Sequence, residues 1–316
     1  MSDAPAAAPF CDLHLHSTAS DGADAPGDLP RLCRDAGLSC FALTDHDTTA
    51  GVDACAAAAR RLKIDFIPGV ELSANPALDG GEPRGTLHLL GHFVDPDHPR
   101  LAEVSARMRQ TRAERNPAIV AKLNDLGVRI TNDDLAEAAG RSGSTGSDDA
   151  PGRAEETSGG GMIGRPHIAQ VLIEKGYVRT MHEAFTKYLG RRGAAYVRRD
   201  TLDAAEAIDV IHAAGGVVSL AHPVQLGLDD DALEHAVARL DAMGLDGIET
   251  RHSDHTPADV RKFGTLAERF GLLTTGGSDY HGSRKTVALN SQRVPRAVAD
   301  RLRDAASRVA TRASAV

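Results

Sequence analysis

The sequence contains no tryptophan, and aromatic residues make up only 3% of its 316 positions. Aliphatic side chains must therefore fill most of the core. No run of about 18 apolar residues occurs, so no segment has the composition of a membrane-spanning helix. The first ten residues, MSDAPAAAPF, lack the basic start and long apolar segment of a signal peptide. We therefore expect a cytoplasmic protein with no membrane partner.

Positive charge is also scarce. Lys and Arg number 36 against 44 Asp and Glu, which gives a net charge of −8. This balance argues against sequence-independent binding of long duplex nucleic acid, but it permits a small phosphorylated substrate bound by a few arginines. No feature predicts a protein partner. The few cysteines form no CxxC pair, so we expect reduced, partly buried thiols at Cys11, Cys33, Cys40 and Cys55.

Short apolar segments alternate with helical patterns along most of the chain. The predicted strands are Phe10–Leu15, Leu38–Leu43, Asp65–Val70, Thr86–Val94, Gly216–Leu220, Gly247–Thr250 and Leu272–Thr275. This alternation is typical of an α/β protein with a parallel sheet and right-handed crossovers. Seven such units favour a closed β/α barrel over an open sheet. Among the helical patterns, one is predicted over Pro257–Phe270, and the last over Ala297–Ala313.

The middle of the chain interrupts this alternation. Residues 100–199 show no clear strand–helix unit, but they contain helical patterns at Leu101–Leu126, with a breaker at Pro117, and at His167–Glu174 and Met181–Tyr188. We therefore expect a barrel formed by residues 1–99 and 200–316 and a small helical domain inserted at 100–199. Residues 141–161 are rich in Gly, Ser, Asp and Glu, which predicts a flexible loop.

Histidines or carboxylates follow nearly every predicted strand. They include an HxH pair, a TDHDT segment, a GVE segment, either His of HLLGH, an AHP segment and a GSDYH segment. Each such residue taken alone is usually a surface or capping residue. In a β/α barrel, however, the carboxyl ends of the strands meet at one mouth. Mixed imidazole and carboxylate ligands suit Mn²⁺, Zn²⁺ or Fe²⁺, and there are enough of them for two or three ions.

These motifs (DLHLHS, TDHDT, GVE, AHP and GSDYH) resemble those of the PHP (polymerase and histidinol phosphatase) family of phosphoesterases. The resemblance implies a distorted (β/α)₇ barrel and a trinuclear metal centre, most often manganese, with zinc, iron or magnesium as alternatives. It assigns one metal to His14, His16, Glu71 and Asp279. It assigns the second to Glu71, His88 and His222, with His92 as a rival to His88, and the third to Asp21, His46 and His281. Asp45 would orient a ligand or, alternatively, cap a helix.

Motifs in the inserted domain resemble those of one group within this family. The segment GRPHIA at 164–169 and the stretch from Tyr188 to Val197 are similar to those of bacterial 3′,5′-nucleoside bisphosphate phosphatases, whose inserted domain covers the barrel mouth. The resemblance implies that Arg165 and His167 bind substrate phosphate, and we add Arg192 as a further candidate. Guanidinium groups suit phosphate oxygens, because they present a planar fork of donors. The alternative is a surface arginine and an ordinary helix-start histidine.

The sequence therefore predicts a metal-dependent phosphatase. A metal-bound hydroxide would attack phosphorus in line and remove the 3′-phosphate of a 3′,5′-bisphosphonucleotide, leaving the 5′-nucleotide. The related alternatives are a 5′→3′ exoribonuclease acting on short 5′-phosphorylated RNA and a histidinol-phosphate phosphatase. A metal-binding regulatory module without activity is an alternative of a different class. Its discriminating feature would be the loss of one or more ligands, yet all nine positions are filled.

Overall fold

The computed structural model describes residues 9–75, 85–141 and 162–313. The loop predicted at 141–161 lies outside these ranges, except for Arg141, which ends a helix. Across the described ranges, no helix combines the length and the apolar character that crossing a membrane requires.

The chain forms a mixed α/β structure. Its strands are β1 Phe10–Asp12, β2 Cys40–Leu43, β3 Asp65–Asn75, β4 Leu87–His92, β5 Leu202–Asp203, β6 Val217–Leu220, β7 Gly247–Arg251, β8 Leu273–Gly276 and β9 Val294–Pro295. Its α-helices are α1 Leu29–Asp35, α2 Val52–Leu62, α3 Pro99–Asp125, α4 Asn132–Arg141, α5 Arg165–Glu174, α6 Met181–Ala184, α7 Ala204–Ala213, α8 Asp230–Ala242, α9 Pro257–Phe270 and α10 Arg296–Ala313.

All strands belong to one sheet that curls into a nearly closed barrel. The order is β8-β7-β6-β4-β3-β2-β1-β9, with the short β5 paired to the end of β3. The barrel closes where the segment after β1 lies beside the end of β8. There the amide of Leu13 donates to the carbonyl of Gly276 at 3.2 Å, and the amide of Asp279 donates to the carbonyl of His14 at 2.8 Å. The predicted barrel is therefore confirmed.

The prediction of a wholly parallel sheet is wrong at β4. This strand runs antiparallel to both neighbours, β3 and β6. Only residues 76–86, eleven positions, separate the end of β3 from the start of β4. A parallel crossover needs about a dozen residues or more and is usually helical, so a connection of this length favours a reversed strand.

The helices of the inserted region differ in detail from the predictions. Pro117 does not break the first of them, because α3 continues through it to Asp125. Apolar residues on both sides of the proline are buried, namely Met108 before it and Ile119 after it, and this packing compensates for the hydrogen bond that a helical proline loses. Helix α4 lies in a stretch for which the sequence predicted no element, and the predicted helix ending at Tyr188 finishes as a π-helical turn over Phe185–Leu189.

Two hydrophobic cores meet along α3. The start of the helix, including Leu101 and Met108, packs with β3, β4, β6 and α7 into the barrel core. From Ile119 onward the helix packs into a separate core with α4, α5 and the turn that ends at Leu189. We call this second unit the cap. It has its own apolar interior, and α3, which contributes to both cores, joins it to the barrel.

Candidate metal centre and substrate cavity

The HxH pair lies where the barrel closes. His14 and His16 follow β1, and both side chains are fully buried. The amide of His16 donates to the carbonyl of Tyr280 at 2.9 Å, so the two segments that carry predicted ligands are hydrogen-bonded side by side. Residues two apart in an extended segment face the same side, which directs both imidazoles into the barrel mouth.

Glu71, on β3, lies at the centre of the cluster and has no exposed surface. Its Oε1 atom is 2.8 Å from Nδ1 of His88 and 2.9 Å from Nε2 of His222. Its Oε2 atom is 3.3, 3.2 and 3.0 Å from the nearest ring nitrogens of His14, His16 and His46, respectively. One carboxylate therefore touches five imidazoles, an arrangement suited to a ligand that bridges two ions.

Asp21 and Asp279 complete the cluster on its other sides. Asp21 Oδ1 is 3.3 Å from Nε2 of His281, and its Oδ2 is 3.8 Å from Nε2 of His46. Asp279 Oδ1 is 3.3 Å from Nε2 of His16. Asp279 adopts a left-handed φ of 55°, a conformation that costs a non-glycine residue energy and is typical of functional sites. The structure thus brings all nine predicted ligands together.

The reversed direction of β4 explains why His88 rather than His92 joins this cluster. The amino end of an antiparallel strand lies beside the carboxyl ends of its neighbours, so the second residue of β4 faces the mouth. His92 is at the far end of the strand, where its Nε2–H donates to the carbonyl of Leu13 at 2.9 Å.

The donor set fits bound divalent metal ions. Within the part of the chain that the structure describes, four groups of His, Asp and Glu each place their ligand atoms within 4.8 Å of one another. Both ring nitrogens of His16 and Nδ1 of His46 are buried, and although carboxylate oxygens lie close to them, none of these contacts among the described residues has the geometry of a hydrogen bond. Buried polar atoms without partners are costly, and a metal ion would satisfy them.

The electrostatics of the cluster are those of a cation site. Burial favours neutral carboxyl groups, but the surrounding imidazoles of His46, His88 and His14 outweigh it and hold the pKa of Glu71 well below its usual range. Burial likewise opposes charge on His14, but the carboxylates of Glu249, Glu71 and Asp279 raise its pKa well above its usual range. In the absence of metal, protons occupy positions that a metal would take.

Two residues of the site, Glu249 and His252, were not among the predicted ligands. His14 Nδ1–H donates to Glu249 Oε1 at 3.1 Å, and the amide of His222 donates to Glu249 Oε2 at 2.7 Å. His252 accepts at Nδ1 from the amide of Asp254 at 3.0 Å, so its Nε2 carries the proton and donates to Asp279 Oδ2 at 3.1 Å. Both residues hold candidate ligands in place, and a glutamate within the otherwise uncharged predicted strand Gly247–Thr250 was the available sequence signal.

Asp45 supports the loop that carries His16 and Asp21. Its carboxylate accepts from the amide of Ser17 at 2.8 Å, and from the hydroxyls of Ser17 at 2.6 Å and Ser20 at 2.5 Å. The alternative prediction, a helix N-cap, is wrong, because Gly51 occupies that position at the start of α2.

A cavity of about 460 Å³ opens beside the cluster, between the barrel and the cap. Asp21, His46 and His88 line it on the metal side, and arginines line the cap side: Arg112, Arg115, Arg165, Arg191, Arg198 and Arg199. Of these, the sequence singled out only Arg165 by motif. Arg112 and Arg115 lie on α3 among many charged helix residues, and nothing in the local pattern separates them from solvated ones.

The three predicted phosphate contacts occupy different places. Arg165 lines the cavity and donates from Nη1 to the carbonyl of Leu189 at 3.1 Å. His167 is buried and does not line the cavity. Its Nδ1 accepts from the amide of Gly164 at 3.1 Å, which satisfies a backbone donor at the N-terminus of α5. Arg192 lines an adjoining outer groove instead.

Several known proteins resemble this chain over most of its length. A profile of the PHP domain matches residues 12–119. A 5′-3′ exoribonuclease of Haemophilus influenzae is 32% identical over 85% of this chain and 89% of its own length. A 3′,5′-nucleoside bisphosphate phosphatase of Chromobacterium violaceum is 34% identical over 85% and 86%. A phosphoribosyl 1,2-cyclic phosphate 1,2-diphosphodiesterase of Eggerthella lenta is 31% identical over 90% and 98%.

A solved structure shares the whole architecture. It is described as an amidohydrolase of Chromobacterium violaceum with bound sulfate and no metal. It superposes with a TM-score of 0.77 and 31% identity, over 92% of this chain and 96% of the other. The resemblance therefore extends over the barrel and the cap together.

Proposed function

Because this chain belongs to the PHP family of metal-dependent phosphoesterases, we propose that it removes the 3′-phosphate from 3′,5′-bisphosphonucleotides, such as 3′-phosphoadenosine 5′-phosphate. The products are the 5′-nucleotide and inorganic phosphate. Three divalent ions, most suitably manganese, would be held by the nine-residue cluster around Glu71.

One observation carries this proposal: the arginine-lined cavity begins at the metal ligands themselves. A substrate with a phosphate at the metals would extend into a space bordered by guanidinium groups. A second phosphate on the same small molecule matches that charge. The volume of about 460 Å³ falls within the range of small-molecule sites.

The charge balance of the cavity supports an anionic second group. Arg115 is buried and donates to the side-chain oxygen of Asn116 at 2.9 Å, and Arg165 donates to a backbone carbonyl. Both acceptors are neutral. Neither guanidinium forms an ion pair with any carboxylate in the described part of the chain. Burial lowers the pKa of Arg115 to about 8, which reflects the cost of this uncompensated charge. A phosphate dianion would offset that cost.

In this reaction the chain positions both ends of the substrate. Bound divalent ions acidify water and neutralise phosphate charge. His14, His16, Glu71 and Asp279 are buried at the mouth and would hold the ions there, while the arginines would fix the second phosphate. The cap covers the mouth and limits the length of a substrate that can enter.

The decisive experiment is phosphate release from 3′,5′-bisphosphoadenosine by the Mn²⁺-loaded protein. Histidinol phosphate and a 5′-phosphorylated trinucleotide are assayed separately as alternative substrates, and Asp279→Asn serves as the control variant. We expect fast release with 5′-AMP as product and loss of activity in the control.

Other outcomes would redirect the assignment. Turnover of histidinol phosphate with the bisphosphate untouched would contradict the role given to the arginine-lined cavity. Inactivity of a folded, metal-loaded protein toward every ester would favour a regulatory module.

A 5′→3′ exoribonuclease is the second candidate, and one further observation favours it. The cavity adjoins a larger outer groove that shares Arg191 and Arg198 with it and adds Arg192. A groove with this charge suits a nucleotide chain longer than one residue. Cleavage of the trinucleotide alone would identify this activity as the principal one.

A further inference from the structure

Asp47 lies beside the candidate metal centre and contacts the wall of the substrate cavity. It follows His46 in the turn after β2, and its amide donates to the carbonyl of Glu71 at 2.8 Å. Its side chain is fully buried. The backbone adopts a left-handed φ of 55°, and the carboxylate accepts from the amide and hydroxyl of Ser73 at 2.7 and 3.1 Å. This strained and well-bonded conformation gives the carboxylate one fixed direction.

That direction is toward two arginines of the cavity wall. Asp47 Oδ2 accepts from Arg112 Nη2 at 2.5 Å, and from Nη1 and Nη2 of Arg199 at 3.2 and 3.3 Å. Arg112 comes from α3, and Arg199 from the chain just before β5. In the described ranges, no other carboxylate pairs with either guanidinium. A single buried carboxylate therefore places two arginines from distant parts of the sequence side by side.

We propose that Asp47 is a specificity-determining positioning residue: it holds Arg112 and Arg199 in the geometry that receives the substrate phosphate remote from the metals, and it thereby sets the enzyme's preference for bisphosphorylated substrates. This inference rests on the proposed function. Asp47 touches neither the reacting phosphate nor a metal; it acts through the two guanidinium groups.

The physical reason is mutual repulsion. Two guanidinium groups that share a buried wall repel each other, and long side chains lose rotamer freedom when they are fixed. The Asp47 carboxylate offsets both costs before substrate arrives. The remaining N–H donors of each fork are then free to face the cavity, where a second anion can accept from them.

The test is Asp47→Asn, which keeps the shape of the side chain and removes its charge. The matched control is Asp65→Asn, because Asp65 also pairs with two arginines, Arg296 at 2.5 Å and Arg303 at 2.7 Å, at the opposite end of β3. The probes are 5′-AMP and adenosine, measured by calorimetry with the Mn²⁺-loaded proteins. Metal content by mass spectrometry and thermal melting accompany each measurement.

We expect Asp47→Asn to weaken 5′-AMP binding about tenfold or more, with adenosine binding and metal content unchanged. The KM for 3′,5′-bisphosphoadenosine should rise by a similar factor, while turnover of p-nitrophenyl phosphate changes less than about twofold. Asp65→Asn should match the wild type in all of these. Equal or tighter 5′-AMP binding by Asp47→Asn would overturn the inference.

A second variant covers the case in which Asp47→Asn does not fold. Arg199→Lys keeps the positive charge but loses the fork, and it should weaken 5′-AMP binding in the same direction. Unchanged binding in Arg199→Lys would also overturn the inference. A wild-type protein that binds 5′-AMP but hydrolyses no ester would refute the proposed function alone. Hydrolysis of the bisphosphate with no effect in either variant would refute only the role of Asp47.

Discussion

Glu249 and His14 form a buried pair in which the histidine Nδ1–H donates to the glutamate Oε1 at 3.1 Å. Burial opposes a charged glutamate, but the imidazoles of His14, His252 and His222 lower the pKa of Glu249 to about 2, so the carboxylate is ionised and can only accept. One proton of His14 is therefore fixed on Nδ1, so Nε2, which faces Glu71 and Asp279, is the nitrogen that gives up its proton when a metal binds. A carboxylate thus fixes the tautomer that a metal requires.

Replacing Glu249 by Gln should lower metal affinity by about 10- to 100-fold. The amide can no longer stabilise the Nδ1–H tautomer of His14 through a charged acceptor, and the bond to the amide of His222 is weakened as well. Titration of the metal-free protein against a chromophoric chelator measures the effect. Glu268→Gln, at an exposed position of α9, is the control. Equal affinities for the two variants would contradict this role.

His88→Ala and His92→Ala should impair different properties of the protein, metal binding in the first and folding stability in the second. His88 touches Glu71 and His222, so its loss should reduce the metal content per chain and abolish phosphate release. His92 donates to the backbone carbonyl of Leu13 and belongs to none of the four groups of candidate ligands, so its variant should retain the metals. It should nevertheless unfold more readily, by about 1–3 kcal/mol, because the carbonyl of Leu13 loses its donor. Mass spectrometry and urea unfolding separate the two results. Loss of metal in His92→Ala would contradict the assignment of His88.

Removing the metals should destabilise the protein. Any ligand that binds only the folded state adds about 2.7 kcal/mol at a hundred times its dissociation constant. The metal-free mouth also keeps a dense group of buried carboxylates and imidazoles with orphaned nitrogens. We expect chelation to lower the melting temperature and re-addition of Mn²⁺ to restore it. A melting temperature indifferent to chelator would argue against tight metal binding.

Acid should destabilise the fold through His92. Burial lowers its pKa to about 4, against an unfolded value of 6.5. Because the folded pKa is depressed, the unfolded state binds the proton first, and stability is lost as the pH falls from 6.5 through 4. The loss amounts to about 3 kcal/mol for a shift of this size. Urea unfolding at a series of pH values measures it, and His92→Gln should show a shallower decline over the same window. An identical decline in both proteins would refute the contribution of His92.

Local patterns in the sequence predict most of the barrel and its ligands. Helix α9 begins and ends where its periodicity and the Pro at its start indicate. The HxH pair and the GSDYH segment each follow a strand, and strand ends converge in a barrel whatever the details of its helices. The direction of β4 could not be read this way, because periodicity within a strand is the same in both directions; only the length of its connection to β3 carries that information.

The cavity wall depends on tertiary contacts instead. Arg112 and Arg199 are separated from Asp47 by 65 and 152 positions. On α3 an arginine that faces a cavity has the same helical context as one that faces water. For His167 the motif predicts the residue type that suits phosphate, but it does not predict that Nδ1 accepts from the backbone amide of Gly164. Contacts of this kind require the fold itself.

The separate apolar interior of the cap gives the molecule a modular plan. The apolar residues of the cap, at 119–138 and 168–189, pack among themselves, whereas the candidate metal ligands lie on barrel segments. Evolution can therefore exchange the cap, and with it the range of esters accepted, without rebuilding the reactive centre. Such an exchange has one condition at the two ends of the cap, where Arg112 and Arg199 must still meet the buried carboxylate of Asp47.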